Sequence, residues 1–535
     1  MLLTPIVLFV ILMILLYVPP VQNFIRKQAT AIASDATGMN ISVERIDLRF
    51  PLNLLVRGVQ VVQSEADAAD VQHPDTLLNL GSLNVSVQAW PLLQGRVEVN
   101  DITLQQVAVN SSNLLEGMHI KGTLGRFFLE SHGIDLKKED AILNNVELSN
   151  THMQVMLADT TETPKDSTET AVNWRIALHN LKLKNVSVDL QMPLDSMALG
   201  ANIGDASIED ANVDLKRQFY GWRRFTLTES AVNYDLGMAA PVEGFDASHI
   251  ALRDIRIGID SVMACGRDMN AIIREFSMYD RSGLTVTSLT GRLFADSTLI
   301  RIPYLQLKTP HSDMDLTAQT YWKLVDIPTT GHLSARFNAN IGKQDVLLFA
   351  GGLPETFKEA YPFRPLVIHA GTEGNLKQMQ ISRFTAELPG AFFLSGGGEL
   401  WNLTDSLTRN GGLDFEMQTQ DLNFLTGLTG VTPDGSIIVP DSMNLVARLG
   451  LDGPQCNAIL KIKEGEGSLG LDAAYNLNTE VYHADLAIDA LQLHHFLPKD
   501  SIYTLTARVT AKGQGVDVAS HKTIARVEAK LDELQ

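Results

Sequence analysis

The glycines of residues 465–470 are the first to test for chemistry, because they have the spacing G-x-G-x-x-G. A dinucleotide-binding fingerprint of this kind follows a strand and opens a helix. Here the next residues, 471–477, alternate apolar and polar side chains, which is typical of a strand. We therefore interpret 465–470 as the turn of a glycine-rich hairpin. The three glycines of 396–398 are interpreted as a bend between strands.

Side chains that bind metal ions occur, but their spacing is unfavourable. His494 and His495 are adjacent, and we expect them on a strand, where neighbouring side chains point to opposite faces. A group of carboxylates lacks the loop spacing of an EF-hand and is interpreted as a solvated face. Its members are Asp205, Glu209, Asp210 and Asp214. The sequence motifs of P-loops, serine hydrolases and zinc proteases are not found. We predict no metal, no cofactor and no enzymatic activity.

The composition excludes one large class of partners. The chain of 535 residues has a formal net charge of −19 at pH 7. Binding to nucleic acid needs a basic stripe that neutralises phosphates, and we find none, so no nucleic-acid partner is predicted. Two cysteines, Cys265 and Cys456, permit one disulfide but no disulfide framework. The function must therefore come from the arrangement of the elements.

Residues 1–20 are predicted to be a transmembrane anchor. Residues 2–18 carry no charge, and about 17 to 20 such residues cross a bilayer as a helix. Pro19 and Pro20 are expected to end this helix. A cleaved signal peptide is the alternative, but the apolar run is long for one and no Ala-x-Ala site follows. The apolar residues of the predicted span include Leu2, Ile6, Leu8, Phe9, Ile11, Leu12, Leu15 and Leu16.

Residues 21–38 have apolar side chains at helical spacing, with Gly38 as a C-terminal cap. We predict an amphipathic helix that either rests on the membrane surface or closes the end of a β-body. Arg26 and Lys27 follow the predicted span, which under the positive-inside rule would place the body in the cytoplasm. Large domains can cross regardless of nearby charge, so the orientation stays open at this point.

From Asn40 the pattern alternates with period two, which predicts strands with one apolar and one polar face. One pattern recurs at 102–109, 181–188 and 250–257, where two polar residues separate two alternating runs. A flat strand would turn the second run to the wrong face. We therefore predict a β-bulge or tight bend at residues 105–106, 184–185 and 253–254.

The predicted fold is mainly β, an elongated, twisted and curled sheet with a few short helices. A first β-groove region covers 39–343, including a disordered loop at 158–170 that is low in hydrophobic residues. A short helical insert follows at 344–361. A second β-groove region covers 362–522. A C-terminal helix is predicted for 523–535, because Ile524, Val527, Leu531 and Leu534 share a helical face.

The apolar side of these strands is either a closed core between two sheets or an open groove. An open groove would hold acyl chains, because each CH₂ removed from water contributes about 0.8 kcal/mol. The sequence pattern leaves both arrangements open. The residues predicted to line the groove are Leu83, Val85, Val87, Val97, Val99, Ile102, Leu104, Leu181, Leu183, Val186, Val188, Ile250, Leu252, Ile255 and Ile257.

Several segments resemble the N-terminal portion of the TamB/AsmA-like family. They are 18–24, 38–54, 57–61, 75–78, 83–95, 97–109, 491–498 and 511–517. The resemblance implies a protein that is anchored in the inner membrane and has a periplasmic β-groove carrying phospholipids toward the outer membrane. It also implies an Omp85-type outer-membrane barrel as a partner, bound through a C-terminal region expected outside these residues. The family supplies no catalytic residues.

We therefore expect an inner-membrane, single-pass protein whose periplasmic body conducts phospholipids and supports outer-membrane biogenesis. The alternative is a periplasmic scaffold for the assembly of outer-membrane barrels or autotransporters, with a dry core and no lipid.

Overall fold

A computed structural model describes residues 19–49, 52–63, 76–88, 99–111, 117–135, 138–157, 173–429, 435–515 and 524–534. Strands make up 68% of the structure and helices 10%, so the predicted mainly-β fold class is confirmed. The chain divides into two compact units. Unit 1 is Met1–Pro241 with Asp246–Arg281, and unit 2 is Val242–Phe245 with Ser282–Gln535.

Unit 1 is a run of strands preceded by one helix. Its elements are α1 (Pro19–Thr37), β1 (Asn40–Arg49), β2 (Asn53–Val62), β3 (Thr76–Val87), β4 (Val99–Asn110), β5 (Met118–Asp135), β6 (Asp140–Leu157), β7 (Arg175–Met192), a 3-10 turn (Pro193–Asp195), β8 (Met197–Asp214), β9 (Phe219–Leu236), β10 (His249–Cys265) and β11 (Asp268–Asp280). Each strand pairs with its neighbours in chain order. The pairs are antiparallel except β6 with β7, which is parallel.

The long strands of unit 1 bend at aligned positions. Gln106, Asn185 and Asp254 have φ angles of 54°, 52° and 52°, in the left-handed region. These are the positions where the sequence predicts bends, and that prediction is confirmed. Where a left-handed residue occupies one strand, the neighbouring strand often has a glycine. A Cβ on Gly204 would lie 2.4 Å from the carbonyl oxygen of Glu229, so only glycine fits there without a shift.

Polar side chains of α1 cover the outer edge of β1. Gln22 Nε2 donates to the Leu48 carbonyl at 3.2 Å, and the Arg26 guanidinium donates to the Glu44 carbonyl at 2.7 Å. α1 therefore closes the end of a β-body, one of the two roles expected for it. Pro19 and Pro20 are the first two residues of α1, and the helix that they were expected to end falls within 1–18, outside the described residues. Proline is compatible with helical φ and is tolerated in a first turn.

Unit 2 has shorter strands and several short helices. Its elements are β12 (Thr285–Val286), β13 (Ser288–Ala295), β14 (Leu299–Lys308), β15 (Asp313–Tyr321), α2 (Trp322–Asp326), β16 (Leu333–Ile341), α3 (Lys343–Leu348), α4 (Glu355–Ala360), β17 (Leu366–Asn375), β18 (Gln378–Leu388), β19 (Phe392–Trp401), β20 (Asn410–Thr419), a 3-10 segment (Asn423–Thr429), β21 (Asn444–Asp452), β22 (Gln455–Glu464), β23 (Gly467–Asn476), β24 (Val481–Gln492), α5 (Leu493–Phe496), β25 (Thr504–Gln514) and β26 (Ile524–Leu534). From β13 onward the strands pair antiparallel in chain order.

The buried core of unit 2 lies at the ends of its strands. Phe357 of α4 packs against Phe424 of the 3-10 segment, with ring centroids 5.8 Å apart. The cluster also contains Tyr361, Leu388, Ala391 and Leu422. Because Leu388 ends β18 and Ala391 precedes β19, the helices cover the strand ends and leave the middle of the strands free.

The helical prediction for 523–535 is wrong, because residues Ile524–Leu534 form strand β26 paired with β25. The spacing of the apolar residues fits a helix, but Val527, Ala529 and Leu531 also alternate with charged residues as in a strand. A register shift between Thr506 and Ala507 of β25 absorbs the extra residue in β26. Because the edge of β25 was available for pairing, residues 524–534 form a strand and not a helix.

Candidate functional site: two apolar sheet faces

Directly paired residues on neighbouring strands lie on the same face of a sheet. In unit 1 the pairing joins apolar residues into continuous rows across eleven strands, and we call this surface the unit 1 face. Its first row is Ile46, Val56, Leu83, Leu104, Phe127, Leu148, Leu183, Ala206, Leu227, Ile257 and Phe276. Its second row is Leu48, Leu54, Val85, Ile102, Leu129, Val146, Leu181, Ile208, Phe225, Ile259 and Ile273.

The apolar pattern continues beyond the bends. Leu183 and Val186 flank the bend of β7 and are both covered, whereas Lys184 and Asn185 between them are exposed. The bend therefore keeps both apolar runs of β7 on the same face of the sheet, as the sequence predicted. The third row contains Val186 and Ile255, the fourth contains Val188 and Leu252, and Ile250 pairs with Tyr234 in a fifth.

All predicted lining residues within the described part of the chain lie in these rows or beside them. Val87 and Val99 pair with each other at the strand ends. Val97 lies outside the described residues, as do the predicted anchor residues within 1–18 and the loop predicted at 158–170. Among the described helices, none combines the length and apolar character that a membrane span requires.

Most side chains of the unit 1 face are only half-buried, whereas Val186 and Ile255 in the third row, beside the bends, are buried at 6% and 4% exposure. Of the first two rows only Ala206 is buried, and the other members are half-buried. In the fourth row Val109 and Met153 are 40% and 38% exposed. The inner residues of a two-sheet sandwich would be almost completely buried. The burial pattern therefore favours the open arrangement over the closed core within the described residues.

Unit 2 has a comparable surface on β21 to β25, which we call the unit 2 face. One of its rows consists of Leu449, Ala458, Ala473, Ala484 and Ala511. The next rows on either side are Ala447, Leu460, Leu471, Leu486 and Val509, and Leu451, Cys456, Tyr475, Tyr482 and Gly513. Leu449 is 45% exposed although it lies on the apolar side.

A cavity of about 500 Å³ lies over the alanine row of the unit 2 face. It forms where small side chains lie between rows of larger ones. Its lining includes Leu413, Leu449, Ala473, Tyr475 and Tyr482. The opposite face of the same strands carries ion pairs such as Arg448 with Asp414 at 2.6 Å. One face of this sheet is therefore apolar and the opposite face is charged.

A polar cluster ends the unit 2 face at one side. Glu464 follows Ile462 on the apolar side of β22 and is only 5% exposed. Its Oε1 accepts a hydrogen bond from His495 Nδ1 at 2.6 Å, while Oε2 is buried without a partner among the described residues. The ring of His494 lies 4.2 Å from that of His495, and His494 Nδ1 donates to the Tyr503 carbonyl at 3.2 Å.

The structure places the other polar candidates as follows. Residues 465–466 form the turn between β22 and β23, so the hairpin interpretation is confirmed. His494 and His495 lie on α5, so the expectation of a strand there is wrong; the chain turns after β24 and brings both rings to one side. Among the described residues no group of three metal-ligating side chains is assembled.

Two acidic residues of β8, Glu209 and Asp210, form ion pairs at the surface. Arg223 lies 2.6 Å from both Asp210 and Glu209. The hydrogen bond from Arg223, with a second from His179, holds the pKa of Asp210 below its ordinary value. This group is solvated, as the sequence indicated.

The sequence analysis placed a second β-groove region at 362–522, which contains the unit 2 face, but it named no lining residues there and missed the cluster at Glu464. The alternation of β21 and β22 is visible in the sequence, but alanine gives a weak signal, and nothing marks Glu464 as buried. Neither a protein-family model nor a curated protein matches this chain. The resemblance to the TamB/AsmA-like family therefore stays a prediction.

Proposed function

We propose that this chain is an inner-membrane-anchored periplasmic protein that conducts phospholipids between the inner and outer membranes along its apolar β-faces. Acyl chains would lie on the uncovered rows, and headgroups would stay at the polar rim. Transport would be passive, because no site for an energy source is predicted. The membrane anchor, the compartment and the family assignment are part of this proposal.

The observation that carries the proposal is the uncovered state of the apolar rows. A soluble protein rarely leaves a long apolar surface exposed without a ligand or partner for it. Each methylene that moves from water onto such a surface contributes about 0.8 kcal/mol, so a phospholipid tail gains several kcal/mol there. The cavity on the unit 2 face provides a concave place for a chain in addition to the flat rows.

The alternative, a scaffold for the assembly of outer-membrane barrels, draws support from β26. Val527 and Leu531 of this strand are 64% and 59% exposed, and its pairing with β25 uses one edge. An exposed strand of this kind is a place where another strand can add.

The test measures the transfer of a fluorescent phospholipid from donor to acceptor vesicles by the reconstituted full chain. Val85 is half-buried between Leu54 and Ile102, and Val85→Asp places a charge among acyl chains. Because burial of an unpaired charge costs several kcal/mol, we expect the rate to fall at least about tenfold. Val99→Glu should act in the same direction. Ser86→Asp adds the same charge at the next position, on the other face, and is the control.

Circular dichroism must show that Val85→Asp keeps its strands. Equal rates for Val85→Asp and Ser86→Asp, or no transfer by the unmodified chain, would contradict the proposal. Capture of a barrel protein by a chain that transfers no lipid would favour the scaffold.

A further inference from the structure

The polar cluster at the end of the unit 2 face combines a buried carboxylate with two imidazoles. Glu464 lies in line with Ala458, Leu460 and Ile462 on the apolar side of β22. A buried carboxylate oxygen without a hydrogen bond is costly, and Oε2 of Glu464 is in that state. The group that best satisfies such an oxygen is a cationic N–H donor.

The imidazoles next to Glu464 can bind an anion, whereas Glu464 can bind a cation. Nδ1 of His495 is used by Glu464, and Nδ1 of His494 is used by the Tyr503 carbonyl. Neither Nε2 atom has a hydrogen-bond partner among the described residues. Because Nδ1–H of each ring is already used, a ring carries an Nε2–H only as the imidazolium cation, and in that form it can donate to a phosphate oxygen. The cluster is therefore complementary to a zwitterion that has a phosphate beside an ammonium group.

The distance from the cluster to the cavity fits a lipid tail. Glu464 lies six residue steps from Ala458 along β22, which at ~3.3 Å per step is about 20 Å. The acyl chains of one leaflet span about 15 Å, half of the hydrocarbon core of a bilayer. A headgroup at Glu464 thus leaves its tail on Ile462 and Leu460, with the chain end at the cavity beside Ala458.

We propose that the unit 2 face binds a phospholipid crosswise to the rows, with a phosphoethanolamine headgroup at Glu464, His495 and His494 and its tail in the cavity. This inference rests on the proposed function and names the lipid class that this part of the face selects. The ammonium group would donate to Glu464, with a rotation of the carboxylate that exposes Oε2. A choline headgroup has no N–H to donate, and a glycerol headgroup has no positive charge.

The test presents the detergent-solubilised full chain with mixed micelles of phosphatidylethanolamine, phosphatidylcholine and phosphatidylglycerol in equal amounts. The bound lipids are quantified by mass spectrometry after repurification. We expect about tenfold enrichment of phosphatidylethanolamine over phosphatidylcholine, as one charge-assisted hydrogen bond provides. Glu464→Gln should reduce the ratio to about one without lowering the total lipid bound. Glu466→Gln, in the exposed turn next to it, is the matched control and should keep the ratio.

Two further measurements separate this inference from the proposed function. Ala473→Trp fills the cavity and should lower the total lipid bound to this face, whatever its headgroup. Soluble phosphoethanolamine at millimolar concentration should not displace the lipid, because the tail supplies most of the binding.

The outcomes differ for the two proposals. Bound lipid with the composition of the micelles, or tenfold enrichment that survives Glu464→Gln, overturns the headgroup site and leaves the conduit in place. No bound lipid at all overturns both. If Glu464→Gln fails to fold, the enrichment by the unmodified chain and its loss in His495→Gln decide the question.

Discussion

The unit 1 face and the unit 2 face reach a similar surface by different means. Strands β5 to β9 of unit 1 have 18 residues each, and bends at left-handed residues keep their two halves on one face. Strands β21 to β23 of unit 2 have nine or ten residues, and their registers run without a shift. Unit 2 also has a row of alanines and a buried aromatic core at the strand ends, and β24 has a left-handed residue, Ala490, at a register shift near its end.

The two units are stabilised in different ways. Unit 1 depends on hydrogen-bond ladders, lateral contacts and aligned bends, so its fold is sensitive to backbone conformation. Unit 2 includes a compact cluster of large side chains, so its fold is sensitive to the volume of those side chains. In both units most residues of the apolar rows are only half-buried, so a substitution at such a position should cost less stability than one in the aromatic core of unit 2.

The largest expected effect is in the aromatic core of unit 2. Phe357→Ala removes a ring that is 7% exposed and packs on Tyr361 and Phe424. We expect the free energy of unfolding of unit 2 to fall by about 3 to 5 kcal/mol, measured by urea denaturation. Phe393→Ala, at a position 41% exposed, is the control and should cost much less. Equal losses would mean that the core does not stabilise unit 2.

A smaller effect is expected where the bends of unit 1 need a close backbone approach. The Cβ of Gly204→Ala would lie 2.4 Å from the Glu229 carbonyl oxygen. We expect a loss of about 2 to 3 kcal/mol in unit 1, by the same measurement. Gly133→Ala meets nothing within 4 Å and should be nearly neutral. If both substitutions are tolerated, the bends are not fixed by the glycines.

The left-handed residues themselves allow a finer test. Asn185 has φ 52° and donates from Nδ2 to Asn150 Oδ1 at 2.9 Å. Asn185→Val puts a β-branched residue in that conformation and should cost about 1 to 2 kcal/mol. Asn185→Gly keeps the conformation and should differ from the natural residue by a few tenths of a kcal/mol. If the Asn185→Val protein is as stable as the Asn185→Gly protein, the left-handed conformation at this bend is not required by the fold.

The smallest effect concerns the ion pairs on the surface of unit 1. The pKa of Asp210 is lowered by Arg223 and His179, so its charged form is favoured in the folded state. This stabilisation is present above the ordinary pKa of 3.8 and is lost as the pH falls through the lowered value. Asp210→Asn should therefore lower unfolding stability slightly at neutral pH, with the difference disappearing in acid. Because the pair is exposed, added salt should reduce the difference as well.

Much of unit 1 could be predicted from its sequence because period-two alternation and its interruptions are local signals. The bends at Gln106, Asn185 and Asp254 followed from two polar residues between alternating runs, since a buried face fixes the phase of a strand. The predicted lining residues share a face for the same reason.

The features that were missed depend on partners distant in the chain. Val527 and Leu531 fit a helix or a strand equally well, and the edge of β25 decided between them. Glu464 is charged in the sequence and buried in the structure, because α5 brings His495 to it from 31 residues away. Composition alone carries no signal for such an encounter.

The pairing of strands in chain order has a consequence for how this protein is made. The hydrogen-bond partners of a strand are mostly the previous and the next strand in the chain. A strand can therefore pair before the distant parts of the polypeptide have been made. Stability in such an array is close to a sum of nearest-neighbour contributions. The chain can therefore assemble progressively during its synthesis, with α1 already covering the edge of the first strand against pairing with other strands.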